Sequence, residues 1–207
     1  MNAQVIVWTA PRAGRRARRA GSIGLILLAV GPTIHGCDGG GAPAASVSPQ
    51  VMTDALHAVM SADREVYARE VVDRLQDQEN VLKATEHFKD DKTLPLPAQM
   101  FRMGSEMAQK GDPGFTYSLL SPWPINKQNG PKTELEKMGL RTVTETDKNY
   151  YTEESLGGKR YFTAFYPDKA VAQACVTCHN AHLDSPRKDF KIGDVMGGVV
   201  IRVPLAR

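Results

Sequence analysis

The chain has 207 residues, with 26 Lys and Arg against 23 Asp and Glu, and a formal charge of +3. Five of the basic residues and no acidic one fall in residues 1–37, so residues 38–207 hold 21 basic against 23 acidic groups, a net of −2. That balance excludes a nucleic-acid partner bound through a basic footprint, and three cysteines are too few for a disulfide framework.

Residues 1–37 read as a signal peptide and stand apart from the fold. Arg12, Arg15, Arg16, Arg18 and Arg19 form a basic start, and Ile23 to Val30 is an apolar run too short to span a bilayer comfortably. Gly36-Cys37 follows, and small residues before a lone Cys resemble the lipobox of bacterial lipoproteins. Cys37 is therefore the expected lipidation site. An ordinary secretory signal and an uncleaved anchor are the alternatives, and all three readings put the body outside the cytoplasm, in the periplasm. Residues 38–49, rich in Gly, Ala, Ser and Pro, form a flexible tether. Residues 50–207 are long enough for one domain with a core of its own.

Pro49 to about Phe88 reads as one long helix capped by Ser48, with Pro49 at its first position. Met52, Leu56, Val59, Met60, Val66, Tyr67, Val71, Leu75, Val81 and Leu82 recur at helical spacing, with Asp54, Arg64, Glu65, Arg69 and Asp73 mostly on the other side. At 1.5 Å per residue such a helix is roughly 55–60 Å long. It must bend, or its first half must project and pack on a second copy in a homodimer. Asp90 to Leu96 is a connector. Pro97 opens a Met-rich helix to Lys110, stopped by Gly111.

Phe115 to Leu120 alternates as a strand, and the proline-rich Ser121 to Pro131 is a loop. Thr133 and Glu136 form a capping box for a short helix ended by Gly139, and Arg141 to Thr146 reads as a strand. Tyr150-Tyr151 and Lys159 to Tyr166 flank Gly157-Gly158 as a hairpin, and aromatic residues on both faces make the second strand central. Pro167 should break that strand and Asp168 should cap a helix that runs into Ala174-Cys175-Val176-Thr177-Cys178-His179-Asn180. Val195 to Pro204 is the last strand, whose Gly197-Gly198 pair leaves room for something flat or marks a bulge.

Cys175-x-x-Cys178-His179 is the attachment signature of c-type haem. Two thiols three residues apart add to the vinyl groups of one haem, and the adjacent His179 becomes the proximal iron ligand. A zinc site built from Cys175, Cys178, His179 and His182 lacks the second separated ligand pair that structural zinc uses. A thioredoxin-like redox pair lacks the surrounding βαβ pattern.

Helices first, hairpins after and no regular βαβ alternation argue for an α+β fold with an antiparallel sheet. With those elements placed, the chain resembles the c-type-haem-binding PAS-like domains over about residues 50–205. The resemblance is carried by Leu94-Pro95-Leu96-Pro97-Ala98-Gln99, Ser121-Pro122-Trp123-Pro124-Ile125-Asn126, Tyr161-Phe162-Thr163-Ala164, the Ala174 to Asn180 motif and Gly193-Asp194-Val195-Met196-Gly197-Gly198. It implies a five-stranded antiparallel PAS-like sheet with one covalent haem c held between the sheet and a long N-terminal helix. It also implies a sixth iron ligand from that helix, which in such domains is Cys, Met, His or water. No Cys is available here. His57 is the first distal candidate and Met60 the alternative, with His87, His182 or an open site after them.

Two functions follow as expectations. One is a membrane-tethered monohaem cytochrome in electron transfer, working with redox partner proteins. The other is a periplasmic sensor of redox state or of NO or CO. Sensors of this kind are normally joined to an output module, and the chain ends at Arg207 without one, so sensing would need a separate partner. An enzyme is the least expected class, since no acid, base and nucleophile group together in the sequence.

Overall fold

The structure, a computed structural model, describes residues 46–206. The signal peptide, Cys37 and residues 38–45 of the expected tether lie outside the described residues.

Ser48 opens helix α1 (Pro49–Val66) as expected, its hydroxyl accepting the Val51 N–H at 3.2 Å. The chain continues through Tyr67–Gln78 in wider π-helical turns, and Glu79 N–H bonds five residues back to the Arg74 carbonyl at 2.9 Å. The helical run ends there, about ten residues before Phe88. Asn80 takes a left-handed φ of 51° and turns the chain back, so that Val81 and Leu82 both donate to the Leu75 carbonyl. Two short strands, β1 (Ala84–Thr85) and β2 (Leu94–Pro95), then pair in parallel around a single turn of helix, α2 (Phe88–Asp91). Helix α3 (Pro97–Gln109) follows, its entry held by Gln99 accepting the Leu96 N–H at 2.9 Å.

The main sheet holds β3 (Thr116–Leu120), β4 (Tyr150–Leu156), β5 (Lys159–Lys169) and β6 (Val195–Pro204), antiparallel throughout in the order β3-β6-β5-β4. The fold is thus α+β, with four strands in this sheet among the described residues where five were expected. The strand expected at Arg141–Thr146 belongs instead to helix α4 (Glu134–Thr146). Thr133 and Glu136 start it as a capping box, and the Thr142, Thr144 and Thr146 hydroxyls bond carbonyls four residues back. Its β-branched residues favour a strand locally, but Leu140 and Val143 bury completely on the sheet at helical spacing. Gly139 does not end α4. A Cβ there would stand 2.5 Å from the Phe165 ring, so the glycine lets α4 lie close on β5.

The hairpin turn falls at Gly157-Gly158, with φ values of 58° and 76°. Strand β5 runs past Pro167, which pairs opposite Gly198, and a bulge follows at Asp168/Lys169. Asp168 is a strand residue and caps nothing. Helix α5 (Gln173–Ala181) starts five residues later.

The sheet is packed on both faces. On one, Ala164, Tyr166, Val199 and Ile201 meet Phe101 of α3 and Leu56 and Met60 of α1. On the other, Leu120, Phe165 and Val200 meet Leu140 and Val143 of α4. Gly197 and Gly198 serve this packing rather than a flat ligand: a side chain at 197 would strike the Leu120 carbonyl of β3, and one at 198 would press on Leu140 at 3.0 Å. The bulge lies opposite Gly197, as the second reading of the pair required. Gly197→Ala should therefore force β3 from β6 and destabilise the domain by about 1–3 kcal/mol. Urea unfolding monitored by circular dichroism measures this, and an unchanged midpoint would contradict it.

Candidate functional site

Helix α5 places Cys175, Cys178 and His179 at positions i, i+3 and i+4, on one face. The helix is short, and its N-cap residue, Ala172, has no side chain able to cap it. Asp73, from the Tyr67–Gln78 segment, does so from outside by accepting the Ala174 N–H at 2.9 Å. At the other end the Asn180 amide donates to the Phe190 carbonyl at 2.9 Å and accepts the Phe190 N–H at 3.0 Å. The loop after α5 is thereby tied back across the motif.

Both thiols are partly buried and unpaired. Burial pushes the Cys178 thiol up from its ordinary pKa, and the nearby Glu86 carboxylate and Cys175 push the same way. Cys175 packs against a small apolar cluster of Ala170, Val176, Phe190, Met196 and Trp123. The His179 ring meets Phe190 edge-on at 5.8 Å between centroids. Its Nδ1 is buried and has no hydrogen-bond partner. Burial lowers its pKa, and the charges of Arg64 and His182 lower it further, so the ring is neutral near pH 7 with a lone pair to give.

His182 is already engaged. Its Nδ1 accepts the Asp184 N–H at 3.1 Å, and its Nε2 lies 3.6 Å from Glu86. His87 is exposed at the start of α2. His57 and Met60 reach the sheet from α1, but neither is bonded to α5. The His57 ring stacks on Tyr166 at 4.0 Å with planes 8° apart, and burial lowers its pKa against the pull of Asp54. Met60 packs against the core cluster that holds Phe101, Ala164, Tyr166, Val199 and Ile201.

Arg64, one turn beyond Met60, is the α1 residue whose charge helps to lower the His179 pKa. Its guanidinium grips Asp168 through Nη1 at 2.7 Å and Nη2 at 3.1 Å, and each side chain is 11% exposed. This corrects the expected division of α1. Asp54 and Arg64, and Asp73 in the segment after α1, turn inward, while Val59 and Val66 are 63% and 58% exposed. Hydrophobic periodicity misses these polar residues because their partners (the Tyr151 and Tyr166 hydroxyls, Asp168 and the Ala174 N–H) come from distant strands and from α5.

Two free thiols and a neutral imidazole on one helical face match the donor set that covalent haem attachment needs. A family model described as Tll0287-like matches residues 32–204. The chain belongs to the Tll0287-like family. The crystal structure of the cyanobacterial heme-protein Tll0287 is 12% identical, with 78% of this chain and 99% of that one covered and a TM-score of 0.49. No curated protein matches.

Within this family member, the outside cap on α5 is Asp73, a residue on the side of the helix expected to face solvent. Asp73→Ala should cost about 0.5–2 kcal/mol, as loss of an N-cap does. Hydrogen exchange should rise at the Ala174 and Cys175 amides before it rises in β5 or β6. Uniform exchange across the domain would argue against this capping role.

Proposed function

We propose that the protein is a monohaem c-type cytochrome that carries single electrons, exported to the periplasm and tethered to a membrane through lipidated Cys37. The carrying observation is the set of Cys175, Cys178 and His179 on one face of α5, with both thiols unpaired and the imidazole neutral and unbonded at Nδ1. Family membership supports haem, since the family's namesake is described as a heme-protein. The antiparallel sheet with α1 laid on one face supports the PAS-like reading. The arginine-rich start, the apolar run and Gly36-Cys37 support export and tethering.

Haem would supply the one-electron Fe(III)/Fe(II) couple. Cys175 and Cys178 would hold it by thioether bonds, and His179 would ligate the iron. Asp73 at one end of α5 and Asn180 at the other tie down the helix that would carry that ligand. A fixed ligand suits electron transfer, where movement of the site slows the step, and favours carrier over enzyme. His57 remains the first distal candidate, because its ring is half-buried and neutral, with Met60 the alternative three residues on.

Purified wild type should show a c-type pyridine haemochrome spectrum and the mass of one covalent haem. Cys175→Ala with Cys178→Ala should lose both. Wild type free of haem would overturn the proposal.

The ferric spectra of two further variants assign the distal ligand. His57→Ala should open or switch the coordination and speed CO binding to the ferrous form. Met60→Ala should keep the iron low-spin and cost about 2 kcal/mol, the low end for a Met→Ala change because the residue is only partly buried. A methionine-to-iron charge-transfer band lost in Met60→Ala and kept in His57→Ala would reverse the assignment. Wild type that is already high-spin and takes CO at once would favour gas sensing over electron transfer.

A further inference from the structure

The main sheet ends in β3 on one side and β4 on the other, and the two edges are built differently. An unpaired edge is a template for another strand, and proteins blunt it with charges, proline or a bulge. Strand β4 carries Glu153 and Glu154, the second turned inward onto Arg202. Strand β3 has no charge and no proline, and it pairs with β6 in unbroken register.

Three contacts show which groups of β3 face its open side. In an antiparallel strand the N–H and C=O of one residue point the same way, and successive residues alternate. The Leu120 carbonyl faces Gly197 of β6. The Tyr117 carbonyl instead accepts the Ser105 hydroxyl of α3 at 2.6 Å, and the Ser121 N–H donates to the Asn129 carbonyl at 2.9 Å. Tyr117, Leu119 and Ser121 therefore point away from β6. Leu119 stands between the two covered positions, and its N–H and C=O have no partner among the described residues.

A cleft of about 370 Å³ opens at this edge, floored by Tyr117 to Leu120. Phe101 and Arg102 of α3 form one wall, and Gln128, Lys132, Glu136 and Arg202 the other. An edge recessed between walls admits a single extended chain, whereas a second sheet would strike them. Across the mouth the walls touch through Arg102 and Gln128 at 3.4 Å, a long, exposed contact that an incoming chain can displace. The charges define the guest. Arg102 is paired with Glu106, and Arg202 with Glu136. Lys132 is exposed and has no carboxylate partner among the described residues.

We propose that the open edge of β3 takes up an extended segment of a partner protein as an added strand, with an apolar residue opposite Leu119 and a carboxylate at the next position. Leu119 supplies one N–H and one C=O to the guest backbone, as in strand addition. Side chains alternate between the faces of a sheet. The guest residue opposite Leu119 shares its face, where Leu119 and Tyr117 pack on the cluster that holds Phe101. The next guest residue falls on the α4 face, where a carboxylate meets Lys132. The inference stands apart from the haem reading.

The test is NMR titration of the intact, haem-loaded, reduced protein with the capped peptide Thr-Val-Glu-Val-Glu-Val-Thr. The Tyr117 and Leu119 amide signals should shift, and exchange of the Leu119 N–H should slow. Lys132→Glu changes an exposed side chain, so the variant should fold as wild type does. It should bind this peptide about three- to tenfold more weakly and prefer the counterpart with Lys in place of Glu. N-methylation of the valines should abolish binding, since it removes the guest's N–H donors. No shift at Leu119 with millimolar peptide, equal binding of the N-methylated peptide, or indifference to Lys132→Glu each overturns the inference and leaves the cytochrome reading intact. So does a wild type in which Leu119 is already protected within a dimer, which would give the edge to a second copy of this chain. Wild type that holds no haem but binds the peptide as described overturns the cytochrome reading alone.

Discussion

A guanidinium and a carboxylate, buried side by side and far apart in sequence, hold the working end of this protein together. Arg64 belongs to the N-terminal helix and Asp168 to the end of a central strand, and the contact between them fixes α1 against the sheet. The next residues of each element then have little freedom. Past Arg64 the helix widens into the Tyr67–Gln78 turns that carry Asp73, and past Asp168 the chain passes a bulge and enters α5. Asp73 meets the start of α5 because the ion pair has already set those two segments beside each other. Burial pulls the Asp168 carboxyl toward its neutral form and the Arg64 charge pulls it back, so the contact depends on both partners being in place.

The rest of α1 repeats this arrangement. Asp54 takes the hydroxyls of Tyr151 and Tyr166, at 2.8 and 2.7 Å, on a single carboxylate oxygen. His57 lies flat on the same Tyr166. These polar contacts alternate with Leu56 and Met60, so the face of α1 on the sheet is half apolar and half hydrogen-bonded. A mixed face of this kind specifies register more sharply than an apolar stripe. Sliding the helix by one turn would leave several buried groups unpaired, at about 1–3 kcal/mol each, whereas Leu and Met side chains would find new neighbours. That registry holds a short helix with no cap of its own at a defined place.

Helix α4 shows the opposite balance between local and distant influence. Read locally, Arg141-Thr142-Val143-Thr144 favours a strand. The capping box at Thr133 and Glu136, the threonine hydroxyls bonding back along the helix, and the fit of Gly139 against Phe165 together outweigh that preference. Beyond α4, Arg202 of β6 bridges Glu136 and Glu154 at 2.9 and 2.6 Å, so even the charges on this face are paired across three elements.

By itself the sequence determined the features whose physics is local. The placement of Cys175, Cys178 and His179 on one helical face is one, because helical spacing needs only neighbouring residues. The start of α1 at Ser48 and Pro49, the hairpin at Gly157-Gly158 and the final strand Val195–Pro204 are others, since a cap, a positive-φ turn and a β-branched run act over a few positions. Only the tertiary structure decided which side of α1 is buried, that β5 continues through Pro167 to a bulge, and that Arg141–Thr146 is helical. The reason is the same in each case. A polar side chain such as Asp73, Arg64 or Asp168 looks solvent-facing until its partner is known, and the partner lies about a hundred residues away, where no periodicity in the chain can point to it.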